Sequence, residues 1–214
     1  MSLADIRQTY QKFELLESNA LADPFEQFKL WLEQALHSEV LEPTAMALAT
    51  VDPDGQPSAR IVLLKEANQN GFVFYTNYES RKGQALTAHP QASLLFFWPE
   101  LERQVRIEGR VSLLKAEESD AYYQSRPLGS RIGAWASPQS RPMSHEALAS
   151  KVDALARTLG TEPQRPPYWG GYCLQAQRFE FWQGRPSRLH DRLVYTQDAD
   201  AGHAGAWRIT RIAP

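Results

Sequence analysis

Apolar positions along the chain follow first a helical and then an alternating pattern. Phe25, Phe28, Trp31, Leu32, Ala35 and Leu36 recur at helical spacing and define one apolar face. Asp23-Pro24-Phe25-Glu26 before them offers an N-cap, a proline at the first helical position and a glutamate at the third, so a helix is predicted from here to about Ser38. From Ala45 the period becomes two. Ala45 to Val51 reads as a strand, and Asp52-Pro53-Asp54-Gly55 turns the chain into a second strand carrying Arg60 to Lys65. The runs Arg60 to Lys65 and Gly71 to Asn77 flank the turn-prone Ala67 to Gly71, the pattern of a β-hairpin. Ser80 is placed to cap a short helix, Arg81 to Ala88, and Ala92 to Trp98 is a mostly apolar strand. In the long strand Glu102 to Lys115, Gln104, Arg106, Glu108 and Arg110 share one face, and Val105, Ile107, Gly109 and Val111 the other.

Glu117 to Ser125 is predicted helical, ending where Pro127 pushes Arg126 out of the α region. Leu128 to Pro142, punctuated by Ser, Gly and Pro, reads as a loop, and Ser144 to Leu159 as an amphipathic helix stopped by Gly160. After a stiff connector with Pro163, Pro166 and Pro167 the chain is β: Tyr172 to Trp182, Arg188 to Tyr195, a turn over Asp198 to Gly205, and Trp207 to Ile212. Residues 1–20 are polar with isolated apolar positions, the pattern of a mobile arm or a short helix that orders on contact. Residues 21–214 hold no long linker and form one domain. About seven strands with few helices and short connections predict an antiparallel barrel decorated by helices. Neither a G-x-G-x-x-G nor a G-x-x-x-x-G-K run occurs, which counts against a Rossmann or P-loop site.

Composition adds exclusions. With 43% hydrophobic and 22% charged residues in 214, the chain has material for one full-sized core. A net charge of −2 argues against a general nucleic-acid or membrane-surface role, so a basic site must be local. Cys173 is the single cysteine, which rules out an intrachain disulfide and a cysteine metal cluster. No run is long enough to span a membrane and the first residues lack a signal-peptide layout, so a cytoplasmic location is expected.

Three constellations carry candidate chemistry. Arg81 and Lys82 sit in the first turn of their helix, where the macrodipole and free N–H groups disfavour cations unless an anion is present. With Arg60 and Lys65 they border one strand–strand–helix unit, readable as a phosphate site or as a solvated basic surface. Tyr122 and Arg126 lie one helical turn apart, with Ser130 following; together they could cradle a second phosphate, although such a pair is often surface packing. If residues 188–192 are extended, Arg188, His190 and Arg192 share one face, an arrangement that asks for an anionic or electron-rich neighbour. The five histidines are scattered and no H-E-x-x-H occurs, so a metal enzyme is not expected.

These constellations, in this order, resemble the pyridoxine (pyridoxamine) 5′-phosphate oxidase family. The likeness runs from Arg7-Gln8-Thr9-Tyr10 to Arg211-Ile212-Ala213-Pro214. Its pieces are R-I-V-L-L-K at 60–65, F-Y-T-N at 74–77, S-R-K at 80–82, R-Q-V-R-I-E-G at 103–109, S-R-P at 125–127, I-G-A-W-A-S at 132–137, Q-S at 139–140, F-W-Q-G at 181–184 and R-L-H-D-R at 188–192. The resemblance implies an antiparallel split β-barrel that binds flavin mononucleotide (FMN), as a homodimer with two cofactor sites at the subunit interface. It places the flavin on Arg60, Ile61, Val62, Leu63, Leu64 and Lys65, on Tyr75 and Thr76, on Arg81 and Lys82, and on Gln104, Gln139, Ser140, Trp182 and Arg192. The substrate phosphate falls to Lys65, Tyr122, Arg126 and Ser130. Arg188 and His190 face the pyridine ring as the catalytic pair, and Arg7 to Tyr10 act as a lid.

The chemistry implied is oxidation of a phosphorylated pyridine alcohol or amine to the aldehyde, with dioxygen as acceptor and hydrogen peroxide released. Two alternatives stay open. Another split-barrel flavin oxidoreductase, using a nicotinamide or deazaflavin donor, would share the Arg60–Lys82 unit without needing Tyr122, Arg126, Ser130, Arg188 and His190 together. A non-catalytic binder of flavin or pyridoxal phosphate would keep every binding residue.

Overall fold

The computed structural model describes residues 2–5, 9–198 and 206–214. Asp23 caps helix α1 (Pro24–Leu36) by accepting from the Phe25 N–H at 2.7 Å. Among the described residues nine strands follow in one antiparallel sheet: β1 (Ala45–Val51), β2 (Pro57–Leu63), β3 (Glu66–Asn68), β4 (Gly71–Asn77), β5 (Gln91–Trp98), β6 (Arg103–Leu113), β7 (Trp169–Gln183), β8 (Asp191–Gln197) and β9 (Trp207–Arg211). Helix α2 (Arg81–Ala88) lies between β4 and β5; α3 (Ala116–Ser125), α4 (Leu128–Ala136) and α5 (His145–Thr158) lie between β6 and β7. The strands run β2-β1-β5-β6-β7-β4-β3, with β8 on β7 and β9 on β8.

The expected hairpin between the strands of Arg60 and Phe74 is corrected. β2 pairs with β1 along its whole length, and the hairpin partner of β4 is the short β3. The junction explains why. The Leu64 N–H donates to Thr44 O and the Lys65 N–H to Val73 O, each at 2.8 Å, so consecutive residues bond to opposite ends of the strand path and draw the sheet into a barrel. Gly71 closes the β3–β4 turn at φ +136°, where a Cβ would lie 2.3 Å from Leu174 O.

The core is aromatic. Phe28 and Trp31 of α1 pack edge-on against Phe72 and Phe181, and Phe96, Phe179 and Tyr195 are fully buried around them. Each such ring contributes about 1.5–3 kcal/mol on leaving water. β6 keeps its two faces, with Val105, Ile107 and Val111 inside. Among the described residues no helix is long and apolar enough to cross a membrane.

Two other expectations change. Leu128 to Pro142 is not all loop: α4 occupies its first nine residues, because burial of Ile132 and Ala136, one turn apart, outweighs the low helix propensity of Gly129 and Gly133. Arg188 is not on a strand. Pro186–Arg188 is a short turn with Ser187 at φ +57° and Arg188 at φ +62°, and β8 begins only at Asp191. Arg188, His190 and Arg192 therefore do not alternate along one strand face. Residues 11–17 lie along the body: Leu15 is buried, and Arg211 binds both carboxylate oxygens of Glu17 at 2.7 and 2.8 Å.

Candidate active site

Ser80 starts α2 where β4 ends, its buried hydroxyl donating to Asn77 O at 2.6 Å and accepting from the Gly83 N–H at 3.3 Å. This cap sets Lys82 beside Thr76. The Lys82 ammonium donates to Thr76 Oγ1 at 3.1 Å and to Gln139 Oε1 at 2.9 Å, both neutral. Burial, reinforced by the Arg60 charge, pushes its pKa down to about 8. Arg60 in turn donates to Thr50 Oγ1, Leu48 O and Ser58 Oγ. Lys82 and Arg60 are each hydrogen-bonded only to neutral acceptors, with Asp52 acting on Arg60 through space, and an anion between the two cations would stabilise them.

Arg81 behaves differently. Its Nε and Nη2 bind Asp52 Oδ2 at 2.8 and 2.5 Å, so the turn carboxylate at Asp52 relieves the electrostatic conflict that sequence reasoning assigned to a missing anion. That pair lowers the Asp52 pKa and raises that of Arg81.

Lys82, Thr76 and Gln139 form one wall of a cleft of about 340 Å³, which Ile61 to Leu63, Lys65, Tyr75, Asn77, Tyr122, Arg126 and Trp169 complete. Residues from five separated stretches, 61–65, 75–82, 122–126, 139 and 169, converge here. The Tyr75 and Tyr122 rings stack at 3.9 Å, and Trp169 extends the stack at 5.6 Å from Tyr75. Arg126, turned extended (ψ 149°) ahead of Pro127, lays its guanidinium 4.6 Å from the Trp169 ring centroid. Its Nη1 is buried without a hydrogen-bond partner, and burial lowers its pKa. A buried, unpaired guanidinium donor is costly, and an anionic ligand would satisfy it. Leu64 is buried and does not line the cleft, and Ser130, exposed in the first turn of α4, is also outside the lining.

A second group lies on β6, β7 and β8. Trp182 pairs with Gln104 across β6–β7, and its ring is 4.6 Å from His190 and 5.8 Å from Tyr10. The Arg185 N–H donates to His190 Nδ1 at 3.0 Å, which leaves the proton of the neutral imidazole on Nε2. Burial and the Arg188 charge lower the His190 pKa. Arg188 itself is exposed. Arg192 binds Glu180 Oε1 through Nε and Nη2 at 2.9 and 2.8 Å, and Arg106 and Arg178 share the same buried carboxylate. Ser140 is exposed at φ +70° beside Gln139, and Arg7 lies outside the described residues.

Sequence reasoning missed Asp52, Trp169 and Glu180. Asp52 was read as part of a turn, and Glu180 lies unremarked within the Tyr172–Trp182 strand. Only the three-dimensional pairing exposes them.

The antiparallel barrel thus carries a cation-lined cleft with an unspent guanidinium donor and a stack of aromatic rings. Comparison with known proteins gives the family. The family model for pyridoxamine 5′-phosphate oxidase matches residues 32–156, and that for the pyridoxine 5′-phosphate oxidase C-terminal dimerisation region matches 169–214. Pyridoxine/pyridoxamine 5′-phosphate oxidases from Bordetella petrii and Burkholderia cenocepacia are 60% and 58% identical over 214 residues, covering 100% of this chain and 100% and 99% of theirs. Among solved structures, PhzG from Burkholderia lata, in complex with tetrahydrophenazine-1-carboxylic acid, superposes with a TM-score of 0.85 at 33% identity over 94% of this chain and 98% of its own. A pyridoxamine 5′-phosphate oxidase-related, FMN-binding protein from Nostoc punctiforme shares the fold at a TM-score of 0.70 and 18% identity over 87% of this chain and 97% of its own. The chain belongs to the pyridoxamine 5′-phosphate oxidase family and has its split-barrel fold.

Proposed function

We propose that this protein is a cytoplasmic, homodimeric oxidase that uses FMN to convert pyridoxine 5′-phosphate and pyridoxamine 5′-phosphate to pyridoxal 5′-phosphate. The observation that carries this reading is the buried, unpartnered Arg126 Nη1 in a cleft shared with Lys65 and Tyr122. A phosphate suits these donors: a fork-shaped guanidinium, an ammonium and a phenol. The Lys82–Arg60 pair fits the flavin phosphate, with Arg81 reaching it on release from Asp52. The second group, with Gln104, Trp182, His190 and Arg192, completes the site from the partner subunit. The dimerisation region and the exposed Ile61, Leu63 and Phe97 support that assembly.

When bound, FMN supplies the two-electron oxidation at C4′, and dioxygen, as final acceptor, is reduced to hydrogen peroxide; with the amine substrate, water replaces the nitrogen, which leaves as ammonia. The chain's own part is orientation. Lys65, Tyr122 and Arg126 hold the phosphate, so that part of the binding energy aligns the reacting carbon, and Ser130, a candidate by resemblance, lies outside the cleft lining. His190 offers its Nε2–H to the polar edge of the ring, and Arg188 covers the ring face. Anaerobic addition of pyridoxine 5′-phosphate to the purified protein tests the reading. Expected are a yellow protein that bleaches, and peroxide on admitting air. Bleaching only with a tricyclic carboxylic acid of the kind bound to PhzG would assign a different substrate; a colourless protein that binds no FMN would overturn the reading.

A further inference from the structure

Residues 10–15 run along the body under constraints that the proposed site does not explain. The Gln11 and Lys12 N–H groups both donate to one oxygen, Glu102 Oε2, at 2.8 and 2.9 Å. Glu102 is buried, and its backbone is left-handed at φ +54°, immediately after the Pro99–Leu101 turn. Its own carbonyl accepts from the Gly184 N–H at 2.7 Å, tying it to the end of β7. Gly184 lacks the side chain that would block this approach: a Cβ there would sit 2.7 Å from Tyr10 Cβ and Cγ. The outcome is a fixed position for the Tyr10 ring, edge-on to Trp182 and 5.9 Å from His190. The segment is fastened again further on, by Phe13 against the Arg103 guanidinium and by the Leu15 N–H on Asp191 Oδ2 at 3.0 Å.

We propose that Glu102 is a positioning residue whose buried carboxylate latches the Gln11 and Lys12 backbone and so holds Tyr10 against Trp182 and His190, where substrate is bound. This rests on the functional reading above. A carboxylate suits the task because two adjacent N–H groups converge on one acceptor, and charge-assisted bonds of this kind are about twice as strong as neutral ones. The fastening at Phe13 and Leu15 keeps the chain nearby when the latch opens, so loss of Glu102 frees Tyr10 without unfolding the core.

The test uses the FMN-loaded protein and the variants Glu102→Ala, Glu102→Gln and Gln11→Pro. In Glu102→Ala the Gln11 and Lys12 amides should lose hydrogen-exchange protection, and tryptic cleavage after Lys12 should accelerate roughly ten- to hundred-fold. KM for pyridoxine 5′-phosphate should rise roughly tenfold with kcat little changed, the mark of lost uniform binding, while FMN affinity stays at the wild-type value. Glu102→Gln keeps an acceptor oxygen and should restore most of both readouts. Gln11→Pro removes one of the two donors while sparing Glu102, and should reproduce the KM rise even if Glu102→Ala fails to fold. Unchanged exchange and proteolysis in Glu102→Ala would overturn the latch, as would a freed segment with wild-type KM. Should the wild type oxidise no phosphorylated pyridine, the functional reading falls, and exchange and proteolysis decide the latch alone.

Discussion

Arg126 lies over the Trp169 ring, its guanidinium carbon 4.6 Å from the centroid, with one terminal nitrogen buried and without a hydrogen-bond partner. The stacking orients the fork while leaving a donor free, which is how a protein keeps a strong anion contact in reserve. Arg126→Met should therefore separate stability from binding. Loss of a charge-assisted phosphate contact removes about 1.5–3 kcal/mol, so KM for the phosphorylated substrate should rise roughly ten- to hundred-fold. The ligand-free variant should melt at the wild-type temperature or above, because an uncompensated buried donor has gone. A sharp drop in melting temperature with unchanged KM would make Arg126 a structural residue.

Lys82 gives a pH signature. Its folded pKa, about 8, lies below the ordinary value of 10.5. Between these values the unfolded chain binds more protons, so this group makes the FMN-free protein more stable as pH rises from about 8 to 10.5. Phosphate favours the charged ammonium, so flavin affinity should fall as pH rises above about 8. Lys82→Met should remove both dependences and weaken FMN binding roughly ten- to hundred-fold. Melting and flavin-fluorescence titrations of wild type and variant over pH 7–10.5 check the difference curves; identical curves would detach Lys82 from the phosphate.

Glu180 is 2% exposed and is shared by Arg106, Arg178 and Arg192. Removing the acceptor from three guanidinium groups leaves charges uncompensated, which costs about 3–5 kcal/mol when such a network is buried. These arginines are partly solvated, so Glu180→Ala should fall at or below the lower end of that range, and Glu180→Gln should cost less. Chemical denaturation measures both. A Glu180→Ala protein as stable as wild type would show that solvent alone compensates the arginines.

Much of this was legible in the residues, for identifiable reasons. Asp23 and Ser80 cap helices because their side chains act locally, and the alternation of β6 survives because one face is core and the other is not. Lys65, Lys82, Tyr122, Arg126 and Gln139 were singled out by resemblance, and all five line one cleft. Strand pairing was harder: β2 and β4 flank a turn, yet the β2 partner is β1, a choice made by barrel closure at Leu64–Lys65. The Arg81–Asp52 pair was hidden because 29 residues separate its members. At Ser187 and Arg188 local reasoning failed altogether, since nothing in Pro-Ser-Arg-Leu-His signals two successive left-handed residues.

Those two residues support a final prediction, which separates strain from chemistry. Ser187 and Arg188 hold φ of +57° and +62°, a region that costs a residue with a Cβ about 1–2 kcal/mol. Glycine relieves that cost but adds freedom to the unfolded chain, so Ser187→Gly and Arg188→Gly should each stabilise by roughly 0.5–1 kcal/mol. Their effects on turnover should differ. Ser187 has no assigned contact with substrate, whereas the Arg188 side chain is proposed to cover the pyridine ring. Misplacing a reacting atom by about 1 Å can cost roughly a hundred-fold in rate, and kcat/KM with pyridoxamine 5′-phosphate should fall on that order in Arg188→Gly alone. Thermal melts with steady-state kinetics on both variants provide the check. Equal stabilisation with near-wild-type kinetics in Arg188→Gly would remove Arg188 from the active site and leave the turn as backbone geometry only; a loss of stability in both would mean that the left-handed pair is not strained.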